Sequence, residues 1–211
     1  MLLACLWILT VFLWKISGSH FNPAISFAYM FRKDEKKISA KLCVCYMVVQ
    51  IIGAFLGGML ALWMNFNETE LKFRQGKMIT CIIMELGGSF IYTFFFMMST
   101  DDKLLFSQEK AINCFIIASS YVAARSIFFG DGPVNSTYGA VLNPAIALGI
   151  QLTTLINNGL SAWQSIYIFP IVPFGGAALG VIFYELVFKK TQAFLAHEPE
   201  AVSNEDDEEE H

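Results

Sequence analysis

Two stretches of this chain follow one pattern. Gly18-Ser19-His20-Phe21-Asn22-Pro23-Ala24-Ile25 and Gly139-Ala140-Val141-Leu142-Asn143-Pro144-Ala145-Ile146 place Gly, Asn, Pro, Ala and Ile at the same offsets, 121 residues apart. Each opens an apolar piece too short to cross a bilayer. Asn22–Phe31 has about ten residues and stops at Arg32-Lys33; Asn143–Leu155 has about thirteen and stops at Asn157-Asn158-Gly159. Asn-Pro is a helix start, because Asn caps and Pro suits the first helical position. A ten-residue helix spans about 15 Å, half of a bilayer core of about 30 Å. If its far end reaches the surface, its start lies at mid-depth, where backbone must be buried in protein or line a wet cavity. Asn-Pro-Ala by itself is a common turn or cap. Two copies, each opening a half-length apolar helix, point to a transport site built at the midplane.

The rest of the chain supplies the spans around these pieces. Hydrophobic residues make up 55% and charged residues 15%, against about 25% charged in soluble domains. A single domain of this size cannot hide so much apolar surface from water. Met1–Trp14, Leu42–Asn67 and Gly132–Tyr184 carry no charged side chain, Met78–Thr100 carries only Glu85, and Ala111–Phe129 only Arg125. A crossing helix needs about 20 apolar residues, which predicts full spans near 42–64, 78–100, 110–129 and 164–188. The first segment, to Ile16, is short, and no basic region precedes it as in a signal peptide; it reads as a transmembrane helix. An odd number of crossings separates the two copies, so the repeats are inverted in the membrane. Two spans precede the second copy and one precedes the first, so symmetry leaves one span absent at the N-terminus: either that helix has been lost or the sequence is truncated.

These motifs together resemble the major intrinsic protein family, the aquaporins and aquaglyceroporins. Ser17-Gly18-Ser19-His20-Phe21-Asn22-Pro23-Ala24 is similar to its first signature. Tyr46-Met47-Val48-Val49-Gln50-Ile51-Ile52-Gly53-Ala54 resembles its third helix, Glu85 with Asp101-Asp102 its fourth, and Pro173-Phe174-Gly175-Gly176-Ala177 its sixth. The resemblance reaches to about Phe188. It implies an all-α membrane protein with the hourglass fold of inverted repeats, here five full transmembrane helices plus two Asn-Pro-Ala half-helices, assembled as a homotetramer with a pore in each subunit. The channel domain is expected over 1–196, with repeats at about 1–64 and 78–188, followed by an acidic, disordered cytoplasmic tail over 197–211.

Charge gives the expected orientation. Arg32, Lys33, Lys36, Lys37 and Lys41 outnumber Asp34 and Glu35 in one loop, which the positive-inside rule makes cytoplasmic. The glycosylation patterns at Asn67 and Asn135 then fall outside, with Lys72, Arg74 and Lys77 counting against that side. The tail, eight acids without Lys or Arg, turns a body of ten acids and fourteen bases (+4) into a chain of net charge −4.

A narrow pore must return the hydrogen bonds that water gives up on entry. In this reading Asn22 and Asn143 offer amide donors, while the two helix N-termini place partial positive charge at the same point and repel cations. Pro23 and Pro144 preset the first helical turn, and Ala24 and Ala145 let the two ends meet. By resemblance, His20 lines the cytoplasmic half of the pore and Glu85 accepts hydrogen bonds from a pore loop. The glycines Gly53, Gly57, Gly58, Gly175, Gly176 and Gly180 suit close helix contact. The resemblance sets the outer constriction at Leu2, Ser126, Ala140 and Ile146, where Ile146 replaces the Arg usual after the second Asn-Pro-Ala. That ring is wider and less polar than a strict water filter, unless Arg125 stands in for the Arg. Subtype markers conflict: Ala147 and Leu148 lack the Asp of many glycerol-type members, Phe169 fits the water type, and Pro170 fits neither.

The expected function is a channel for passive flow of water, with glycerol or urea as further neutral solutes, in the plasma or an internal membrane. A low-flux structural or regulatory membrane protein is the alternative. No catalytic arrangement, cofactor site or metal-ligand spacing stands out, the five cysteines read as small hydrophobes in apolar runs, and no basic stripe suits nucleic acid.

Overall fold

A computed structural model of the chain describes residues 1–64, 78–127, 140–159 and 166–196. The glycosylation patterns at Asn67 and Asn135, the bases Lys72, Arg74 and Lys77, Gly139 and the tail 197–211 lie outside the described residues. Every regular element among the described residues is helical. In order they are α1 (Leu2–Ser17), α2 (Pro23–Tyr29), α3 (Ala40–Trp63), α4 (Met78–Met98), α5 (Lys110–Ile127), α6 (Pro144–Asn158) and α7 (Val172–Phe183). A π-helical turn, Tyr184–Phe188, carries α7 onward to Ala196.

Local chemistry fixes the ends. Gly18 stops α1 with φ 65°, its N–H on the Trp14 carbonyl, the left-handed conformation glycine adopts without strain. Asn22 and Asn143 sit in extended backbone and cap α2 and α6, each followed by Pro at the first helical positions. Ser39 caps α3, its Oγ accepting from the Leu42 N–H at 3.2 Å.

Two elements differ from expectation. α2 is 7 residues long rather than about ten, because the chain tightens after it: Met30 N–H bonds the Phe27 carbonyl and Phe31 N–H the Ala28 carbonyl. The last span begins at Val172 rather than 164; residues 166–171 are turns, and 160–165 lie outside the described residues. Pro170 accounts for this. It has no N–H to offer a helical ladder, and Pro173 sits in the first turn of α7. Among the described residues three helices, Ala40–Trp63, Met78–Met98 and Val172–Ala196, are long and apolar enough to cross a bilayer. α1 is shorter, at 16 residues, and α5 is more polar, with Ser119, Ser120 and Arg125 along it.

The half-helices pack on parts of the chain far from them in sequence: α2 against α7, as well as its neighbour α3, and α6 against α3. Glycine makes the closest approaches. An added Cβ at Gly149 on α6 would lie 2.7 Å from the Ala54 carbonyl carbon of α3, and one at Gly180 on α7 would lie 2.9 Å from Thr93 Cβ of α4. Gly53-Ala54-Phe55-Leu56-Gly57 on α3 repeats as Gly176-Ala177-Ala178-Leu179-Gly180 on α7. On α7 the two glycines lie flush against α4, whereas an added Cβ at Gly53 or Gly57 meets no described atom within 4 Å.

The core runs through the middle, from Ala24, Ile25 and Ala28 of α2 to Phe96 and Met97 of α4 and Tyr184. The outside is apolar too. Ile8 and Phe12 on α1, Val44, Val48, Ile52, Leu56 and Leu60 on α3, and Ile182 and Leu186 on α7 are exposed. Each would give up about 1.5–3 kcal/mol if left in water, a loss that lipid removes. Of the cysteines, Cys43, Cys81 and Cys114 are buried, while Cys5 and Cys45 face outward.

Candidate functional site

The two Asn-Pro-Ala elements meet head to head. Asn22 uses its Oδ1 to accept from the Ala24 N–H at 2.9 Å, and its Nδ2 donates to the Leu142 carbonyl at 2.7 Å. Asn143 mirrors it: Oδ1 accepts from Ala145 N–H at 3.0 Å and Ile146 N–H at 3.4 Å, and Nδ2 donates to the Phe21 carbonyl at 2.9 Å. Each asparagine therefore caps its own helix and holds the residue just before the other asparagine. Each Nδ2 has two protons, and the cross-bond uses one. Ala24 and Ala145 are buried at the junction, where larger side chains would force the two helix starts apart.

Glu85 fixes the second element from the side. Its Oε1 accepts from Val141 N–H at 2.6 Å and its Oε2 from Leu142 N–H at 2.8 Å. Both carboxylate oxygens are thus committed to the strand of backbone leading into Asn143. Leu142 adopts φ 57° there, a conformation that a bulky residue holds only when its surroundings impose it. Tyr121 donates to the Val141 carbonyl at 2.9 Å, and Arg125 rests on Tyr121, its guanidinium 5.5 Å from the ring centre and its Nη1 3.3 Å from the hydroxyl.

His20 stands at the entry to the first element. Its ring packs edge-on to Tyr29 (4.2 Å between centres), Tyr46 (5.4 Å) and Phe96 (5.9 Å). Its Nδ1 lies 3.5 Å from Ser26 Oγ, and its carbonyl accepts from Gln50 Nε2, which also donates to Ser26 Oγ at 3.0 Å. Two cavities share His20, Ser17 and Tyr46. One, about 370 Å³, opens toward Trp14, Lys36 and Thr100; the other, about 440 Å³, continues past Phe21 and Gln50 to Ala145 and Ile146. His20 and Ile146 thereby border the same larger cavity, which reaches the asparagine junction through Phe21 and Ala145, while Asn22 and Asn143 themselves are buried.

The four positions named for an outer constriction sit differently. Ala140 is buried on the backbone leading to Asn143, and Ile146 borders the larger cavity. Leu2 is exposed at the start of α1, and Ser126 is exposed with its hydroxyl donating to the Val122 carbonyl at 2.8 Å.

A charged cluster closes the basic end. Arg32 is buried and pairs with Asp34 (2.5 Å) and, more distantly, Asp101 (4.0 Å), while its Nη1 donates to Thr100 Oγ1 at 2.7 Å. Lys189 reaches Asp34 (3.2 Å), Asp101 (3.1 Å) and Glu185 (3.4 Å), and Tyr184 donates to Asp101 at 2.6 Å. Burial pushes the Asp34 carboxyl up, but the hydrogen bond and charge of Arg32 outweigh it and hold the group at about 2. Asp101 is likewise held below its ordinary value: burial opposes ionisation, and the Tyr184 hydrogen bond and Lys189 overcome it. The sequence marks Arg32 and Asp34 only as orientation charges and Asp101 only as part of the fourth-helix resemblance, with no sign that they meet. It also gave Gln50 and Tyr121 no part, although both are polar groups inside apolar runs, the one signal available.

A model of the major intrinsic protein family matches residues 3–184. The chain belongs to this family. Similar members include aquaporin PIP2-5 of Oryza sativa subsp. japonica, 26% identical over 186 residues, which cover 82% of this chain and 60% of that protein. Probable aquaporin PIP2-8 of the same organism is 25% identical over 189 residues, covering 84% and 64%. The chain thus spans roughly three fifths of the length of these relatives. In fold it is similar to the aquaglyceroporin from Plasmodium falciparum, with a TM-score of 0.68 at 21% identity, covering 83% of this chain and 75% of that one. As a major intrinsic protein with several bilayer-length apolar helices, it is a multi-pass integral membrane protein.

Proposed function

We propose that this protein is a channel for passive flow of water, with small neutral solutes such as glycerol or urea admitted by a wide outer mouth. The reading rests on one observation above the others: Asn22 and Asn143 cross-bond where two helix N-termini meet, beside a cavity that runs from His20 to Ile146. Each amide keeps a proton for passing water. The helix ends add partial positive charge that disfavours cations, including hydronium. Pro23 and Pro144 preset the turn, Ala24 and Ala145 permit the close junction, His20 lines one half, and Glu85 holds the loop before Asn143 in place. Leu2, Ser126, Ala140 and Ile146 form the outer constriction in this proposal, with Arg125 retained on Tyr121 and not filling the place of the family's Arg. Five crossings (α1, α3, α4, α5 and α7) with α2 and α6 as half-spans complete it, in repeats of about 1–64 and 78–188, with 197–211 as a cytoplasmic tail and four copies per assembly.

Liposome swelling in water, glycerol and urea gradients tests this. Glycerol entry through the parent, abolished by Ile146→Arg with water flow kept, is the expected result. Equal glycerol exclusion by both removes the wide mouth. Water flow no faster than in empty liposomes removes the channel and leaves the low-flux structural reading.

A further inference from the structure

Besides Lys33 and Lys37, which are exposed in the loop between α2 and α3, the bases at one end of the molecule include two sets. Arg32, Lys36 and Lys189 are consumed internally: the first and last in the buried cluster with Asp34 and Asp101, and Lys36 on Asp102 at 2.8 Å. Lys15, Lys41 and Lys190 are exposed, and the described ion pairs do not include them. These three occupy equivalent positions on three different helices. Lys15 follows exposed Ile8, Val11 and Phe12 on α1, one and two turns back. Lys41 precedes exposed Val44 and Val48 on α3. Lys190 follows exposed Phe183, Leu186 and Val187 on the continuation of α7. Spacings of three, four and seven residues put each lysine on the same stripe as its apolar neighbours.

All three lie at one end. Lys190 adjoins Lys189, which bonds Asp34; Lys36, two residues beyond Asp34, borders a cavity with Trp14 and Ile16, the neighbours of Lys15; and Lys41 opens the helix that follows this loop. Each stripe is apolar side chain exposed along a membrane helix of the single chain; where lipid and not a second copy covers it, the lysine that ends it stands at headgroup depth. There the stem lies along apolar surface and the ammonium reaches the phosphates.

We propose that Lys15, Lys41 and Lys190 form a ring that binds anionic lipid headgroups of the leaflet at the basic end. The ring needs only that the helices cross a bilayer, not that any particular solute passes, so its failure and a failure of the channel reading are read separately. A lysine near an anionic surface is worth about 1 kcal/mol, or about fivefold in lipid enrichment.

The test uses the full chain in nanodiscs of phosphatidylcholine with and without phosphatidylserine, reading co-purified lipid and unfolding temperature. Phosphatidylserine is expected to be enriched around the parent and to raise its unfolding temperature, and added salt should reverse both. The triple variant Lys15→Gln, Lys41→Gln, Lys190→Gln should lose the enrichment, about fivefold for each lysine. The matching Lys→Arg triple should retain it, which separates charge from damage to folding. Lys103→Gln, an exposed lysine that ends no such stripe, should also retain it. No enrichment around the parent, enrichment that survives the Gln triple, or an equal loss in Lys103→Gln overturns the proposal. So does equal stabilisation of the parent by inorganic phosphate, which would mark a soluble-anion site.

Discussion

Asn22 donates to the carbonyl before Asn143 at 2.7 Å, and Asn143 donates to the carbonyl before Asn22 at 2.9 Å. The amide is thus both cap and tie, and the two roles separate by substitution. Asn22→Asp keeps the acceptor for Ala24 N–H and loses the donor. It should cut water flow by about tenfold, the factor matching one lost hydrogen bond of about 1.4 kcal/mol, with a smaller loss of stability. Asn22→Ala loses the cap as well, a further cost of about 0.5–2 kcal/mol. Stopped-flow light scattering and thermal unfolding of both variants, side by side, check this; equal flow in parent and Asn22→Asp would contradict it.

Glu85 satisfies two buried N–H groups with two oxygens. Glu85→Gln leaves one acceptor and should cost about 1–3 kcal/mol; Glu85→Ala leaves both donors bare and should cost about twice that. Denaturation of the detergent-solubilised variants gives the order, and a Glu85→Ala protein as stable as the parent would remove the proposed support of Val141 and Leu142.

A crowded glycine and an open one should answer differently to a methyl group. Gly149→Ala presses on the Ala54 backbone and should destabilise by about 1–3 kcal/mol. Gly53→Ala meets nothing described within 4 Å and should be neutral or gain up to about 1 kcal/mol from helix propensity. Unfolding temperatures in one detergent decide it.

Asp34 links stability to acid. Its carboxyl is held at about 2, against an ordinary value of 3.8. A lowered carboxylate contributes stability that is complete above the unfolded value and disappears as pH falls through the folded one. The unfolding temperature should therefore hold level down to about pH 4 and then drop toward pH 2. Asp34→Asn should start lower and respond less over that window, as a pH series by scanning calorimetry would record.

Much of this site could be read from residue order. Asn-Pro announces a capped helix start, and its recurrence 121 residues on points to the two helix starts that the structure brings together. Glu85 stands out as an acid inside an apolar run, which is costly and marks function, but its acceptor role comes from the family resemblance. The start of α7 was missed because its apolar run continues through Phe169-Pro170, and composition cannot say that the backbone turns there. The Arg32–Asp34–Asp101–Lys189 cluster joins residues from three distant stretches, and no pattern of spacing foretells such a meeting. Gln50 failed to stand out for a similar reason: its partners, the His20 carbonyl and Ser26 Oγ, become its neighbours only after α2 and α3 fold together.

The packing of α2 on α7 has a consequence in time. α2 finds its seat on α7, yet about 140 residues separate the end of one from the start of the other. At about 5–20 residues per second, a ribosome takes roughly 7–30 s to cover that distance. Throughout that interval the first Asn-Pro-Ala element sits at the membrane without the helix that will cover it. Insertion of this protein must therefore tolerate a half-built, polar-centred intermediate, whose completion waits on α7.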